Sequence, residues 1–389
     1  MYTGQLIFSQ LMDYLPRHDF NSCVRRYHGD RGVRGFSCRD QFLCMAFAQL
    51  TGRESLRDIE TCLRAVAPKL YHAGFRSRVA RNTLARANQL RDWRIWADLA
   101  QVLIARARQL YANDPLGIEL KATAYALDST IIELSLGLFS WAHAQRTKAA
   151  IKVHVLLDLH GQIPTFLRVS RTKISDAAVL DDLLIEAGAY YVLDRGYNDF
   201  CRLHRVAQAG AFFVVRVRKN ITFDRRRSRA VDRKDGIRCD QTVVFHDRRT
   251  RNKYPQPLRR IVYVDLLTGR RFRFVTNDFR LSAETIANLY RRRWQVELFF
   301  KWIKQHLRLR RFVGNTPNAV KTQIWIAVTT YVLTAIVKRE LGIDRSLYEI
   351  LQILSVTLFE NQPLFTLLSH ATLPDSNSHP PNQLPLFDF

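Results

Sequence analysis

Two hydrophobic periodicities alternate along the chain, and the switches between them divide it. Up to about residue 75, apolar positions recur every three to four residues in runs that read as short helices. Ser37-Cys38-Arg39-Asp40 forms a capping-box pattern ahead of the apolar run 42–50. Leu56, Ile59, Leu63 and Val66 stripe a second helix over 54–65, and Pro68 predicts a stop after it. Residues 77–111 read as two amphipathic helices, with Leu84, Trp93, Trp96, Leu99, Val102 and Leu103 on the apolar side. Near Leu120 the pattern changes to strands: LKATAYALDSTII, AAIKVHVLLDLHG and QIPTFLRVS, the last two separated by a turn at His160-Gly161. A helix over 176–187, the strand AYYVLDRGY, the helix CRLHRVAQAG and the strand AFFVVRVRK follow.

An antiparallel meander followed by crossover units is the order of a ribonuclease-H-like α/β fold, a mixed sheet flanked by helices. Between 219 and 280, short strands (QTVVFH, LRRIVYVDLL, RFRFVTN) are separated by arginine-rich stretches, DRRRSR and HDRRTRNKYPQP, read as loops of a β-rich insertion. Ser282 then starts a long helix running to about residue 308, with further apolar helices over 317–340 and 345–360. The resulting division is a helical N-terminal domain (1–75), a basic helical connector (76–118) and the first part of the core (119–218). The insertion (219–280), the rest of the core (281–365) and a Pro-rich polar tail read as disordered (366–389) complete it.

Charge narrows the partners. Sixty Lys and Arg against 35 Asp and Glu give a formal +25, an excess that attracts polyanions, nucleic acid first. Arg86, Arg91, Arg94, Arg106 and Arg108 put a basic outer face on the connector, and Arg225, Arg226 and Arg227 concentrate charge in the insertion. The six Cys include no CxxC pair, which argues against a zinc site or a disulfide framework. No signal-peptide pattern and no 18-residue apolar span appear, so the expectation is a cytoplasmic protein without a membrane role.

Carboxylates placed on this pattern suggest the chemistry. Asp128 ends the run ATAYALD and Asp194 ends YYVLD, and sites in such sheets gather where strands end. In YRRRWQVELFFKWIK, Tyr290, Arg293, Glu297 and Lys304 share one helical face, and Lys301 stands four residues after Glu297. Three carboxylates with hard oxygen donors suit Mg²⁺, with Mn²⁺ as a substitute, for phosphodiester chemistry on DNA. Arg293, Lys304 and Tyr290 are candidates for holding phosphates. The bland reading makes each Asp a strand-end or cap residue and the helical charges an ion-pair network. Asp158 is the strongest rival, assigned to a turn; Asp182, Asp199 and Asp278 are weaker ones. Trp294 and Trp302 are expected to pack in a core.

These residues resemble a known pattern. Tyr290, Arg293, Glu297 and Lys304 match the Tyr-(2)-Arg-(3)-Glu-(6)-Lys signature of IS4-type insertion-sequence transposases in the DDE superfamily. LDST at Asp128 and Asp-Arg-Gly-Tyr at Asp194 match that family's first two acidic positions, and 103 positions separate Asp194 from Glu297, as a β-strand insertion would require. The resemblance covers roughly residues 5–345. It implies catalytic, metal-binding roles for Asp128, Asp194 and Glu297. It also implies binding to double-stranded DNA with terminal inverted repeats, strand cleavage, attack of a 3′-hydroxyl on target DNA, and a homodimer in the DNA complex. A bacterial, nucleoid-associated location goes with it. The alternatives are a ribonuclease-H-like nuclease without strand transfer and a non-catalytic DNA-binding derivative.

Overall fold

The computed structural model describes residues 4–134, 139–145, 148–306 and 312–369. Seven helices lead: α1 (Ile7–Asp13), α2 (Arg17–Arg26), α3 (Cys38–Leu50), α4 (Leu56–Ala65), α5 (Ala67–Leu70), α6 (Arg81–Leu90) and α7 (Arg94–Tyr111). The capping box at α3 forms as expected: Ser37 accepts from the Asp40 amide, and Asp40 accepts from the Ser37 amide. Ser55 caps α4 by accepting from the Asp58 amide, so that helix starts two residues later than its apolar stripe suggested. α4 stops at Ala65, as Pro68 predicted, and Pro68 itself belongs to the next short helix. It sits in the first turn of α5, where a missing N–H costs nothing.

The strands are β1 (Ala124–Leu134), β2 (His143–Gln145), β3 (Lys148–Asp158), β4 (Ile163–Arg171), β5 (Tyr190–Leu193), β6 (Phe212–Arg216), β7 (Phe223–Arg229), β8 (Ile237–Phe245), β9 (Leu258–Val264) and β10 (Arg271–Thr276). β4, β3, β1, β5 and β6 lie side by side in that order. The β4–β3 and β3–β1 pairs are antiparallel, while β1–β5 and β5–β6 are parallel. This is the ribonuclease-H-like arrangement expected from the meander. β10 pairs antiparallel with β6, so the insertion is no separate layer; β10, β9, β8 and β7 extend the same sheet.

Three segments depart from expectation. The predicted helix over 176–187 is a 3-10 segment (Asp176–Asp181) followed by mostly irregular chain, and Asp181 and Asp182 pair outward with Arg202, Arg205 and Arg168. DRRRSR is the edge strand β7, with a bulge between Arg225 and Arg227, and not a loop. An arginine-loaded, bulged edge resists pairing with another chain. Arg248–Lys253 forms a short helix, α9, within the second basic stretch, after α8 (Phe200–Gln208).

The long helix from Ser282 is two: α10 (Ala283–Arg292) and α11 (Trp294–His306), parted by a turn at Arg293; residues 307–308 lie outside the described residues. α12 (Pro317–Glu340), α13 (Leu347–Thr357) and α14 (Leu364–Ser369) follow. Residues 366–369 therefore belong to a helix, and 370–389 lie outside the described residues. α12 is long and apolar enough to cross a membrane, yet 94% of its apolar window is buried inside the fold.

Side-chain alternation splits the interior into two cores. Ala124, Ala126, Tyr190 and Val192 join α10, α11, α12 and the N-terminal helices on one face. Tyr125, Leu127, Tyr191 and Leu193 join Val179, Leu180 and α8 on the other. The N-terminal helices thus share a core with α12 instead of standing as a separate unit.

Candidate active site

Strand register decides where the first two carboxylates sit. Leu127 is paired with Leu193 in the parallel β1–β5 ladder, so Asp128 and Asp194 are the next residues on adjacent strands. β5 ends there, but β1 continues against β3 to Leu134, so Asp128 is mid-strand and not at a strand end as its apolar run suggested. Neighbouring strands run about 4.8 Å apart, which makes them neighbours despite their separation in sequence. Parity then fixes their side. Asp128 continues the series Ala124, Ala126, and Asp194 continues Tyr190, Val192, so both face the layer formed by α10 and α11.

The third carboxylate arrives from that layer. Arg293 Nη1 donates to Asp128 Oδ2 at 2.5 Å, and Nη2 of the same guanidinium donates to Glu297. The Tyr290 hydroxyl donates to Asp194 Oδ1 at 3.3 Å. Five sequence-predicted residues, Asp128, Asp194, Tyr290, Arg293 and Glu297, therefore meet at one sheet edge. Arg293 keeps helical dihedrals (φ −53°, ψ −30°), so the break there leaves the face formed by 290, 293 and 297 intact. Lys304 is half-buried on the same face of α11, two turns on.

Neither Asp side chain caps a helix, although Arg293 ties Asp128 to Glu297 as an ion-pair network would. Asp194 stands at the N-cap of the 3-10 turn Arg195–Tyr197 without a side-chain capping bond. Among the described residues, Asp128 accepts its neighbour's amide, Ser129 N–H at 2.8 Å, and the Arg293 guanidinium. The rivals are structural. Asp158 accepts the His160 amide in a turn and pairs with Arg108, Asp199 caps α8, and Asp278 accepts the Arg280 and Leu281 amides. Asp182 pairs with Arg168.

Electrostatics follow from burial. Desolvation pushes the Asp128 carboxyl up to about 6, against the opposing pull of Arg293 and the Ser129 amide, with Asp194 and Glu297 adding to the rise. Burial pulls the Arg293 guanidinium down, but Tyr290, Asp128 and Glu297 together hold it above its ordinary value. The Tyr290 hydroxyl is pushed up to about 12, chiefly by burial, and stays protonated as a donor.

Other candidates lie elsewhere. Lys301 is exposed and lines a separate cavity of about 1030 Å³ with Tyr111, Trp302 and Tyr331. Tyr290 is 6% exposed and turned to Asp194, so it supports a carboxylate rather than presenting a surface to phosphate. Trp302 is in the core as expected, but Trp294 is 49% exposed. Arg225, Arg226 and Arg227 are exposed on β7. On the connector, Arg91 is used internally, donating to the Ser37 and Gly29 carbonyls, while Arg106 and Arg108 pair with Glu340, Asp158 and Glu186. Sequence reading missed Tyr197, whose buried hydroxyl has no hydrogen-bond partner among the described residues and is held well above its ordinary value by burial, then by Asp128 and Asp176. It was legible only as part of Asp-Arg-Gly-Tyr.

Among the described residues no three metal-ligating side chains are gathered tightly around one point, since Arg293 stands between Asp128 and Glu297. The donor set itself, three carboxylates without sulfur or imidazole, fits a hard divalent cation.

Comparison with known proteins adds independent findings. The family model described as a transposase DDE domain matches residues 119–333, and a domain of unknown function matches 3–76. The y4zB protein of Sinorhizobium fredii, which carries a transposase name, is 34% identical over 250 residues, covering 63% of this chain and 69% of its own length. A transposase named for element IS5377 of Geobacillus stearothermophilus is 32% identical over 53% of this chain and 54% of its own length. One named for element IS4SA of Synechocystis is 25% identical over 54% and 58%. Among solved structures, a piggyBac transposase synaptic complex with hairpin DNA aligns at TM-score 0.48 and 10% identity, over 94% of this chain and 82% of that one.

Proposed function

The chain belongs to the DDE transposase family, and we propose that Asp128, Asp194 and Glu297 are the carboxylates with which it holds divalent metal to cut and rejoin DNA. It is a DNA transposase; the reading adds which residues act and by what route. The observation that carries it is the register Leu127–Leu193, which sets the carboxylates of Asp128, within β1, and Asp194, at the end of β5, side by side beneath the helix that brings Glu297. Mg²⁺, or Mn²⁺ in its place, supplies charge for the leaving oxygen and lowers the pKa of the attacking water or 3′-hydroxyl.

The surrounding residues orient and neutralise. Arg293 offsets the mutual repulsion of Asp128 and Glu297, and its buried Nε–H has no hydrogen-bond partner among the described residues. Tyr290 fixes the Asp194 rotamer through its hydroxyl. Lys304 is assigned to the adjacent phosphate, and the exposed arginines of β7 to the duplex backbone. Cleavage at terminal inverted repeats and attack of the freed 3′-hydroxyl on target DNA are both in-line displacements at phosphorus, so one site serves both. A pair of protomers holding two ends completes the proposed cut-and-paste reaction.

The test is incubation with the element's own DNA ends and Mg²⁺, with products mapped on both strands. Nicks at the repeat boundary and joined target products are expected. Cleavage without joined products would indicate a nuclease instead. Asp128→Ala, Asp194→Ala and Glu297→Ala should each reduce cleavage by about a thousandfold or more while end binding stays within about twofold. A variant that retains full activity would remove its residue from the site.

A further inference from the structure

Beneath the catalytic edge, on the opposite face of the sheet, lies a second polar cluster that the reading above does not use. Ser129 has the opposite parity to Asp128 and donates its hydroxyl to Asp176 Oδ1 at 2.7 Å. Lys152, only 8% exposed, donates to the same oxygen at 3.2 Å and to the Ile174 carbonyl at 3.0 Å. Buried His154, kept neutral by desolvation, stands with Nδ1 4.0 Å from that oxygen and bonds Ser170 through Nε2. The other carboxylate oxygen packs on the loop that follows Asp194: a Cβ at Gly196 would lie 3.1 Å from Asp176 Oδ2. Asp176 thus touches the residue after Asp128 and the loop two residues past Asp194. Tyr197 is 1% exposed, and its hydroxyl, without a partner among the described residues, feels the charges of Asp128, Asp176 and Asp194.

We propose that Asp176 is a positioning residue for metal binding, bracing the β1 segment that carries Asp128 and the end of β5 that leads to Asp194 from the face opposite Glu297. This rests on the metal-dependent reading of the site. A carboxylate that touches neither the ion nor the DNA acts by fixing the backbone from which the ligands project, and outer-shell partners of this kind change metal affinity about 10–100-fold when lost. The simpler account is that Asp176 is only the counterion of buried Lys152.

The experiment measures Mg²⁺ half-saturation of end cleavage and Mn²⁺ binding to the DNA-bound protein in Asp176→Ala, Asp176→Asn and Ser129→Ala. Gly196→Ala is included to crowd the carboxylate from its other side. Half-saturation is expected to rise about tenfold in Asp176→Ala. The rate at saturating Mg²⁺ should stay within about threefold, with DNA affinity and cooperative melting retained, and Gly196→Ala should shift in the same direction. The double variant Lys152→Met/Asp176→Ala separates the accounts, because it removes the buried cation together with the carboxylate and its contacts to Ser129 and Gly196: a pure counterion role predicts full recovery of metal dependence and a brace does not. Recovery there, or unchanged half-saturation in a folded Asp176→Ala, would overturn the proposal. Should Asp176→Ala not fold, Asp176→Asn and Ser129→Ala decide it by the same criterion. Absence of any Mg²⁺-dependent cleavage by the unmodified protein would instead overturn the reading of the site.

Discussion

Asp128 feels opposing forces, and their balance has a consequence in pH. Desolvation lifts its carboxyl to about 6, while Arg293 favours the charged form. Only the ionised form is a metal ligand, so protons compete with the ion. Below about pH 6 the carboxyl is mostly neutral, and at sub-saturating Mg²⁺ the cleavage rate should fall about tenfold per pH unit, recovering as pH rises through 6. Raising Mg²⁺ should move the midpoint to lower pH. End binding followed in parallel by fluorescence anisotropy separates this from loss of DNA affinity, and a rate unchanged between pH 7.5 and 5 would contradict the assignment. Tyr290 gives a second residue-scale expectation: Tyr290→Phe removes the donor to Asp194 and keeps the ring packed on Phe274. It should weaken Mg²⁺ dependence by about threefold to tenfold without changing melting, which a metal titration of the rate would detect.

At the scale of elements, the edge strand β7 is the part of the DNA surface most open to test. Replacing Arg225, Arg226 and Arg227 with Gln should weaken binding to all sequences alike and reduce the slope of log affinity against log salt by about 1–3, since each phosphate contact contributes about 0.9. Unchanged slopes would place the duplex elsewhere. How legible these elements were depended on where their signal lies. The spacing of Tyr290, Arg293 and Glu297 survived the break in the helix because Arg293 stays helical. The strand end before Asp194 was legible because an apolar run stops there, whereas β1 continues past Asp128 to Leu134; the adjacency of the two is a matter of register, which no local pattern carries. DRRRSR looked like a loop because its residues are nearly all polar; an edge strand exposed on both faces has no alternation to read. Asp176 was hidden in an apparent helix, since its role arises from tertiary contacts with Ser129 and Gly196. The connector arginines misled for a related reason: Arg91 and Arg108 satisfy carbonyls and carboxylates inside the molecule.

The whole molecule is organised around α12. Its apolar length is covered on several sides, by α3, α6 and α7 from the N-terminal region and by α13 from the C-terminal region. Residues 1–76 are therefore expected to be needed for folding as well as for any role in end binding. A chain lacking them would bare the α3-facing side of α12, and should melt at a lower temperature with lost cooperativity or aggregate on expression. A stable, cooperatively melting fragment of residues 77–389 would show that the N-terminal helices dock as an independent unit. The +25 charge sets the long-range field in which all of this occurs, drawing duplex DNA toward a surface whose few clustered carboxylates stand at one sheet edge.

Whether three acidic side chains far apart in sequence share ions is best measured by Mn²⁺ titration of the end-bound protein, followed by electron paramagnetic resonance. The account predicts tight Mn²⁺ binding by the unmodified complex and its loss, by about tenfold or more in affinity, in each of Asp128→Ala, Asp194→Ala and Glu297→Ala with DNA still bound. Mn²⁺ binding that is the same in all four proteins would contradict it.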